Sequence, residues 1–369
     1  MDAFNDLQSA MDVVFGLKKP DGRAKHFKTL PDLYGYYTGD ESAMGVFNPR
    51  GLPEELRASM AITSSSFPKA LANTLNRFLS AGYSKINYFE NALISQKGPA
   101  SHLHQGRFVE LGCWPDLPDI DPEAEDYPEM EELTEAENAF DLLQKGTAIP
   151  ISRMVVINNE VGLIKKLMDR SGLVARKTHA RYVWSFFVDN SNCNDGTSWF
   201  TEAHGNLGSD SFSISAVTAV ITALASMTEP GPSTDKIGLD LSNFKWHLAV
   251  PISMWDDAAK LNQSKSYYTS NDLTAKEPNP WYRLFGANNE RIATPPFLTS
   301  DTDWGVIRNP EEVPIVEMQY LNGQEEPEIY FEQSPLSDKA ISGDWFGLKI
   351  RHEYAGAVSD YRGAYKSTP

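Results

Sequence analysis

A chain of 369 residues, 41% hydrophobic and 11% aromatic, has enough apolar material for one elaborate domain or two to three ordinary ones. Its net charge of −17 lacks the basic footprint of a dedicated nucleic-acid binder and favours a soluble, self-repelling subunit. Two cysteines, Cys113 and Cys193, allow at most one bridge, so no disulfide framework is expected and a reducing cytoplasm is the simplest setting.

The opening MDAFNDLQSAMDVVFGLKK carries acids where a signal peptide needs bases. The longest apolar stretches fall far short of a membrane span. The expectation is a chain neither exported by a classical signal nor inserted in a membrane. A short amphipathic helix is expected around Leu7 to Leu17. The rest of residues 1–66 mixes Pro, Gly, Tyr and charge without long periodicity. That tract reads as peripheral, with little core of its own, held by neighbours.

A helix follows from Ser65 or Ser66, which can cap it, with Pro68 in its first turn and Gly82 as its stop. Leu71, Leu75 and Leu79 share one face. The segment HLHQGRFVELGCW then reads as strand. His102 and His104 lie on one face of it, with Cys113 as the nearest further ligand. A metal site needs more ligands than that, so two polar strand residues are the simpler reading.

Residues 116–141 hold twelve acids, and no Lys or Arg occurs between Arg107 and Lys145. Asp119, Asp121 and Glu123 alternate as calcium ligands do, but Ala124 stands where the loop needs Gly and Pro122 stiffens it. A solvated charge run is the default. The third reading is an arm laid on a basic surface. Strand-like segments flank the run, and Pro115, Pro118, Pro122 and Pro128 supply turns, so it reads as a long hairpin arm.

The clearest periodic element runs from Asn158 to Asp189. Ile157, Val161, Ile164, Met168, Ala175, Tyr182 and Phe186 recur at helical steps. The opposite face carries Lys165, Lys166, Arg170, Arg176, Lys177 and Arg181. Gly162 and Gly172 weaken this helix without forbidding it. The loop after it contains His204, but no nucleophile elbow or acid–base pair accompanies it. Cys113 and Cys193 have no neighbouring base in sequence and carry no chemistry in this reading.

SISAVTAVITALASM reads as a serine-capped helix. FKWHLAVPISMWDDAAKLNQ reads as a buried strand, then a helix from Pro251. PIVEMQYLNGQEEPEIYFE reads as a hairpin on an Asn-Gly turn. In the closing segment, Phe346, Leu348 and Ile350 alternate with Gly347, Lys349 and Arg351, a strand pattern. No internal repeat is present.

Four stretches together resemble the Mu-like major head subunit (gpT-like) family of tailed-bacteriophage major capsid proteins. They are ITSSSFPKALANTLNRFL, ISRMVVINNEVGLIKKLMDRSGLVARKTHARYVWSFF, WFTEAHGNLGS, and YLNGQEEPEIYFEQ with WFGLKIRHEYAGAVSDYRGAYKS. The resemblance covers about Ile62 to Ser367. It implies an α+β, HK-97-type capsid fold: an N-terminal arm (1–66), an entry helix and strand (67–99), an extended loop (100–147), and a peripheral domain (148–209) with a spine helix over 158–189. An axial domain (210–342) and a C-terminal strand returning to the peripheral domain (343–369) complete it. No nucleophile motif of a head-maturation protease precedes this core.

The function implied is a structural one. The subunit self-assembles into hexamers and pentamers of an icosahedral shell that encloses double-stranded DNA without sequence-specific binding. Portal, decoration and scaffolding proteins are the further partners, the virion is the location, and the host cytoplasm is the place of assembly. No catalytic, cofactor or metal site is expected. In such a fold the extended loop lies across a neighbour, so Glu129, Glu131 and Glu132 are expected to meet Arg170, Arg176, Lys177 and Arg181 of an adjacent subunit. Two other functions fit the sequence: an encapsulin-like compartment shell, and a cytoplasmic hydrolase using the acidic run or His204 with a metal.

Overall fold

The computed structural model describes residues 3–20, 27–41, 47–59, 63, 66–103, 106–111, 135–229, 235–241, 243–268, 276–331 and 345–369. In chain order the elements are α1 Ala3–Val14, α2 Leu30–Thr38, α3 Glu54–Ser59, α4 Ser66–Tyr83, β1 Ile94–Ala100, β2 Gly106–Leu111, β3 Glu135–Phe140, β4 Leu143–Ser152, α5 Arg153–Ile157 and α6 Val161–Val188. There follow β5 Leu207–Gly208, α7 Ile214–Ala225, β6 His247–Ala249, α8 Trp255–Gln263, β7 Ser266–Tyr268, β8 Lys276–Pro278, β9 Ile292–Ala293, β10 Trp304–Ile307, β11 Val316–Leu321, β12 Glu328–Phe331, β13 Trp345–Val358 and β14 Ala364–Ser367. The fold is α+β. The chain divides into two compact units, one of Met1–Ile86, Leu143–Thr178 and Gln324–Glu353, the other of Asn87–Leu142, His179–Gly323 and Tyr354–Pro369.

The first unit is helical. Leu7, Met11 and Phe15 from α1 and its end, and Leu30 and Leu33 from α2, are buried with Leu71, Leu75 and Leu79 of α4. Val161, Ile164 and Met168 of α6 and Ile329, Leu348 and Ile350 of the strands close the same core. Burying each such Leu, Ile or Phe side chain contributes about 1.5–3 kcal/mol. A polar bolt crosses α1 and α4: the Thr74 hydroxyl donates to Asp12 Oδ1 at 3.1 Å, and Arg77 pairs with Asp12 Oδ2 at 2.7 Å. α2 starts on Thr29, whose hydroxyl accepts from the Asp32 amide at 3.2 Å. β13 pairs with β12 from Leu348 to Arg351, and the backbone N–H of Ile329 donates to Asn76 of α4 at 2.8 Å.

α4 and α6 touch backbone to backbone. A Cβ on Gly172 would stand 2.1 Å from the Leu79 carbonyl oxygen, and one on Gly82 would stand 2.2 Å from the Asp169 carbonyl oxygen. Only hydrogen fits in either place. The Lys85–Asp169 ion pair lies beside the crossing.

The second unit holds two large buried clusters and a small one of Ala100, Leu142 and Ala355. Val183, Trp184 and Phe187, at the end of α6, pack with Trp199, Phe200, Met318, Tyr320, Tyr354 and Val358. α7 and α8 bury Val217, Ile221, Leu224 and Leu261 with Trp246, Leu248, Trp304 and Val306. α7 is capped as its serines suggest, with the Ala216 amide donating to Ser213 Oγ at 3.1 Å. One sheet runs β5-β14-β10-β6-β9. β10 at its centre is buried at all four residues, which explains its unbroken apolar run. In the other sheet β1 pairs parallel with β11, and β11 pairs antiparallel with the Tyr354–Val358 end of β13.

Residues 1–66 are held by neighbouring elements: in the described part, α1 and α2 pack with α4 and α6 in the main apolar cluster of the first unit. Three expectations need correction. The long helix begins at Val161 rather than Asn158, because Asn159 takes a left-handed φ of 55° and separates it from α5. β11 and β12 are not a hairpin. Asn322 and Gly323 do turn at φ 53° and 74°, but the sheet order is β1-β11-β13-β12, so β13 lies between them. The Asn322 amide donates to Ala100 of β1 at 2.8 Å, so the turn closes the parallel pair. Finally, the C-terminal segment 343–369 serves two sheets, since β14 joins β10 and β5.

The glycine crossing yields a test. Gly172→Ala is expected to lose about 1–3 kcal/mol of stability through overpacking, read as a lower urea midpoint. Gly162→Ala, with nothing within 4 Å of its added methyl, is expected to be neutral or to gain up to roughly 1 kcal/mol. Equal effects of the two substitutions would contradict the contact.

Candidate functional site

α6 sets out the basic residues by its period. Val161, Ile164 and Met168 turn inward and are buried, whereas Lys166, Arg170, Lys177 and Arg181 are exposed. Lys166, Arg170 and Lys177 have no ion-pair partner among the described residues. The other three cations are engaged through rings: Lys165 Nζ stands 5.8 Å from the Phe15 ring centre, the Arg176 guanidinium 5.1 Å from Tyr83, and Arg181 5.7 Å from Phe297. Arg176 is half-buried. Of the four basic residues expected at a contact, the helix therefore presents Arg170, Lys177 and Arg181 outright and holds Arg176 against its own chain. Glu129, Glu131 and Glu132 lie outside the described residues, as do Asp119, Asp121, Glu123, His104 and Cys113. The strands that bound the acidic segment are described: β2 and β3 pair antiparallel from Gly106↔Phe140 to Leu111↔Glu135.

His204 is tied into a loop clasp. Its Nδ1–H donates to the Trp199 carbonyl at 3.0 Å, and Nε2 faces Asp195 Oδ2 at 2.9 Å. Its ring stacks on Tyr361 with centres 4.0 Å apart and planes 8° from parallel. Burial pushes the Asp195 carboxyl up, but hydrogen bonds from the Thr197 N–H and hydroxyl, and then from His204, outweigh it and hold the group below its ordinary value. Asn190 and Asn206 complete the clasp. Asn190 accepts from the Phe200 amide at 2.6 Å and donates to its carbonyl at 3.0 Å, and Asn206 donates to Trp199 and Tyr361 carbonyls at 2.8 and 3.0 Å. Both nitrogens of the imidazole are occupied within the loop. The arrangement orders the loop.

Two residues that the sequence did not single out anchor larger parts. Lys366 of β14 donates to the carbonyls of Phe187 and Val188 at 3.3 and 3.2 Å, placing a cation at the C-terminal end of α6. Arg308 is buried. It donates to the Leu224 and Gly238 carbonyls at 3.1 Å each and stacks on Trp246 at 4.6 Å. Cys193 is buried too. Among the described residues no three His, Cys, Asp or Glu side chains gather as a metal site, and no helix is long and apolar enough to cross a membrane.

The decisive comparison is with a family of described function: residues 136–367, more than half of the chain, match the model of the phage capsid protein family. The chain belongs to that family. It is a phage capsid protein, a structural component of the virion shell. Solved structures with a similar course include the procapsid of bacteriophage JBD30, at 11% identity over 82% of this chain and 75% of that one, with a TM-score of 0.45. Others are the virus-like particle from Pyrococcus furiosus, at 11% identity, 79% and 97% coverage and a TM-score of 0.42, and Mycobacterium phage Adephagia, at 11%, 76% and 89%, and 0.44. No curated protein matches in sequence.

A buried acid gives this capsid protein a pH signature. Burial pushes the Glu317 carboxyl on β11 from 4.5 up to about 7, against a hydrogen bond from Ser359 that lowers it. The folded state then keeps its proton after the unfolded chain has lost it, so this group's contribution falls as pH rises from about 4.5 to about 7. His247 and His352, both lowered to about 4 by burial, act oppositely and lose stability as pH falls from 6.5. Glu317→Gln is therefore expected to raise stability at pH 8 relative to pH 5, read as the difference between variant and parent in thermal midpoint. A pH-independent difference would rule out titration of Glu317.

Proposed function

We propose that this capsid protein is the major head subunit of a tailed phage. It builds pentamers and hexamers of an icosahedral shell around double-stranded DNA and has no catalytic role. The observation that carries the reading is the family match over residues 136–367. The parts fit an HK-97-type subunit of the Mu-like kind: a hairpin arm whose paired base is β2–β3, a spine helix at α6, and a sheet-bearing region beyond Asp210 as the axial domain. The boundaries set out from the sequence serve this reading as functional divisions. An acidic chain encloses DNA without gripping it, since many phosphate contacts would hold the genome fast. A portal protein, with scaffolding or decoration proteins, completes the partner set, and assembly takes place in the host cytoplasm.

The contact assigned to assembly is electrostatic at its rim. Glu129, Glu131 and Glu132 of one subunit meet Arg170, Lys177 and Arg181 of the next, with Arg176 contributing from its seat on Tyr83. Exposed pairs contribute roughly 0–1 kcal/mol each. Several together steer encounter and fix register, more strongly at low salt.

Electron microscopy and light scattering of the purified protein test the whole reading. Pentamers, hexamers or closed shells are expected, and a monomer under all conditions would overturn it. Reversing Glu129, Glu131 and Glu132 to Lys is expected to slow or abolish assembly at low salt and to matter less at high salt. Unchanged assembly at low salt would remove the acidic segment from the contact.

A further inference from the structure

In the clasp around His204, a single hydroxyl proton serves more than one acceptor. The Thr197 hydroxyl lies 2.8 Å from each oxygen of the Asp195 carboxylate and 3.0 Å from His204 Nε2. A hydroxyl has one proton to donate and turns to suit its partner. The carboxylate has a second donor, since the Thr197 backbone N–H reaches Oδ1 at 2.9 Å. The imidazole is more constrained. Its Nδ1 faces the Trp199 carbonyl at 3.0 Å. A carbonyl only accepts, so Nδ1 carries a proton whether the ring is charged or neutral. Nε2 is therefore the nitrogen that gains or loses one, and among the described residues only Asp195 and Thr197 reach it.

We infer that Thr197 is a proton-responsive rotor: its hydroxyl donates to Asp195 when His204 is charged and to His204 Nε2 when the ring is neutral, so the loop stays closed in both states. With the ring charged, Nε2–H donates to Asp195 Oδ2 at 2.9 Å, a charge-assisted bond, and the hydroxyl adds to the same carboxylate. With the ring neutral, a lone pair on Nε2 faces a carboxylate oxygen. Two acceptors at that distance repel, and an imidazole nitrogen shielded from water without a donor is costly. The His204 side chain is only 9% exposed, so water is a poor substitute. Turning the Thr197 O–H about its Cβ–Oγ bond supplies the donor without moving a heavy atom. Asp195 keeps the Thr197 N–H, and its side chain, 38% exposed, takes water for the rest.

The other charged groups near the ring leave this exchange to Thr197. Tyr361, stacked on His204, carries the Arg362 guanidinium 4.4 Å from its ring centre, and Arg362 is paired with Asp360 at 3.1 Å. Glu202, on the loop itself, is exposed. Asp195 is held below its ordinary value, so it is ionised at pH 5 and pH 8 alike. The clasp also holds the turn at Tyr361, through Asn206, so a loop closed in both states keeps the two segments together. The inference stands independently of the shell reading.

Hydrogen–deuterium exchange of the full-length protein, read by mass spectrometry on peptides covering 198–206, tests it. The ordinary imidazole range lies between pH 5 and pH 8. Comparing variant with parent at one pH cancels the intrinsic pH dependence of exchange. Thr197→Val keeps the branched shape and removes the hydroxyl. At pH 5 it is expected to exchange within about threefold of the parent, and at pH 8 roughly tenfold faster or more, because the neutral ring has lost its donor. Thr197→Ser keeps the hydroxyl and is expected to follow the parent at both. Thr197 is exposed, so peptides of α6 are expected to keep their protection in both variants. The same ratio of Thr197→Val to parent at both pH values would overturn the rotor. So would a serine variant that behaves as the valine one, or a parent whose loop loses protection at pH 8 while α6 keeps it.

Discussion

The first unit depends on two helices meeting without side chains between them. At the crossing of α4 and α6, Gly82 faces the Asp169 carbonyl and Gly172 faces the Leu79 carbonyl, each at a distance that excludes a methyl group. Close approach lets Leu79 and Met168 reach one core, where both are fully buried. It also sets which side of α6 faces inward. With Gly172 at the contact, the side of α6 carrying Leu163, Arg170 and Lys177 must face away. The residues assigned to assembly are outward because two glycines hold the opposite side in.

α6 contributes to both units, and its far end is held by different means. Trp184 and Phe187 are buried in the second unit. Lys366, 178 residues after Val188 in sequence but adjacent in space, donates to the last carbonyls of the helix. Carbonyls at a helix C-terminus carry partial negative charge and no intrahelical partner, so a buried ammonium is stabilising there. The strand bearing Lys366 is paired with β10 and β5. A helix roughly 42 Å long at about 1.5 Å per residue is thus fixed towards its middle, around Gly172, by glycine contact and at its end by a charge.

Much of this was legible in the sequence, and the failures have one origin. Leu71, Leu75 and Leu79 announced α4, and the inward positions Val161, Ile164 and Met168 announced α6, because periodicity is a local property. The strand content of β10 and β13 and the serine cap of α7 were legible for the same reason. What escaped was non-local. Nothing near Asn322-Gly323 says that β13 inserts between β11 and β12. Nothing around Leu7 or Leu33 says that they join the core of α4. Gly172 looked like a weakness in a helix, and only the neighbouring Leu79 carbonyl makes it a requirement. At the candidate site, the basic face was legible residue by residue. The burial of Arg176 against Tyr83 was not.

The distribution of charge ties the fold to the function. Residues 116–141 carry twelve acids and no base, while the whole chain stands at −17, so the remainder carries only −5. A body so close to neutral pays little electrostatic repulsion when copies pack side by side. The segment itself is the opposite case. It repels every other copy of itself and every acidic surface, and it gains only where cations are exposed and unpartnered. Within the first unit, α6 offers Lys166, Arg170 and Lys177 exposed and without an ion-pair partner among the described residues. Concentrating the charge in one segment therefore does two things at once: it leaves the bodies free to crowd together and, in the contact proposed for assembly, it restricts the segment to a basic seat. Spread evenly over the surface, the same acids would oppose packing at every contact and specify none of them.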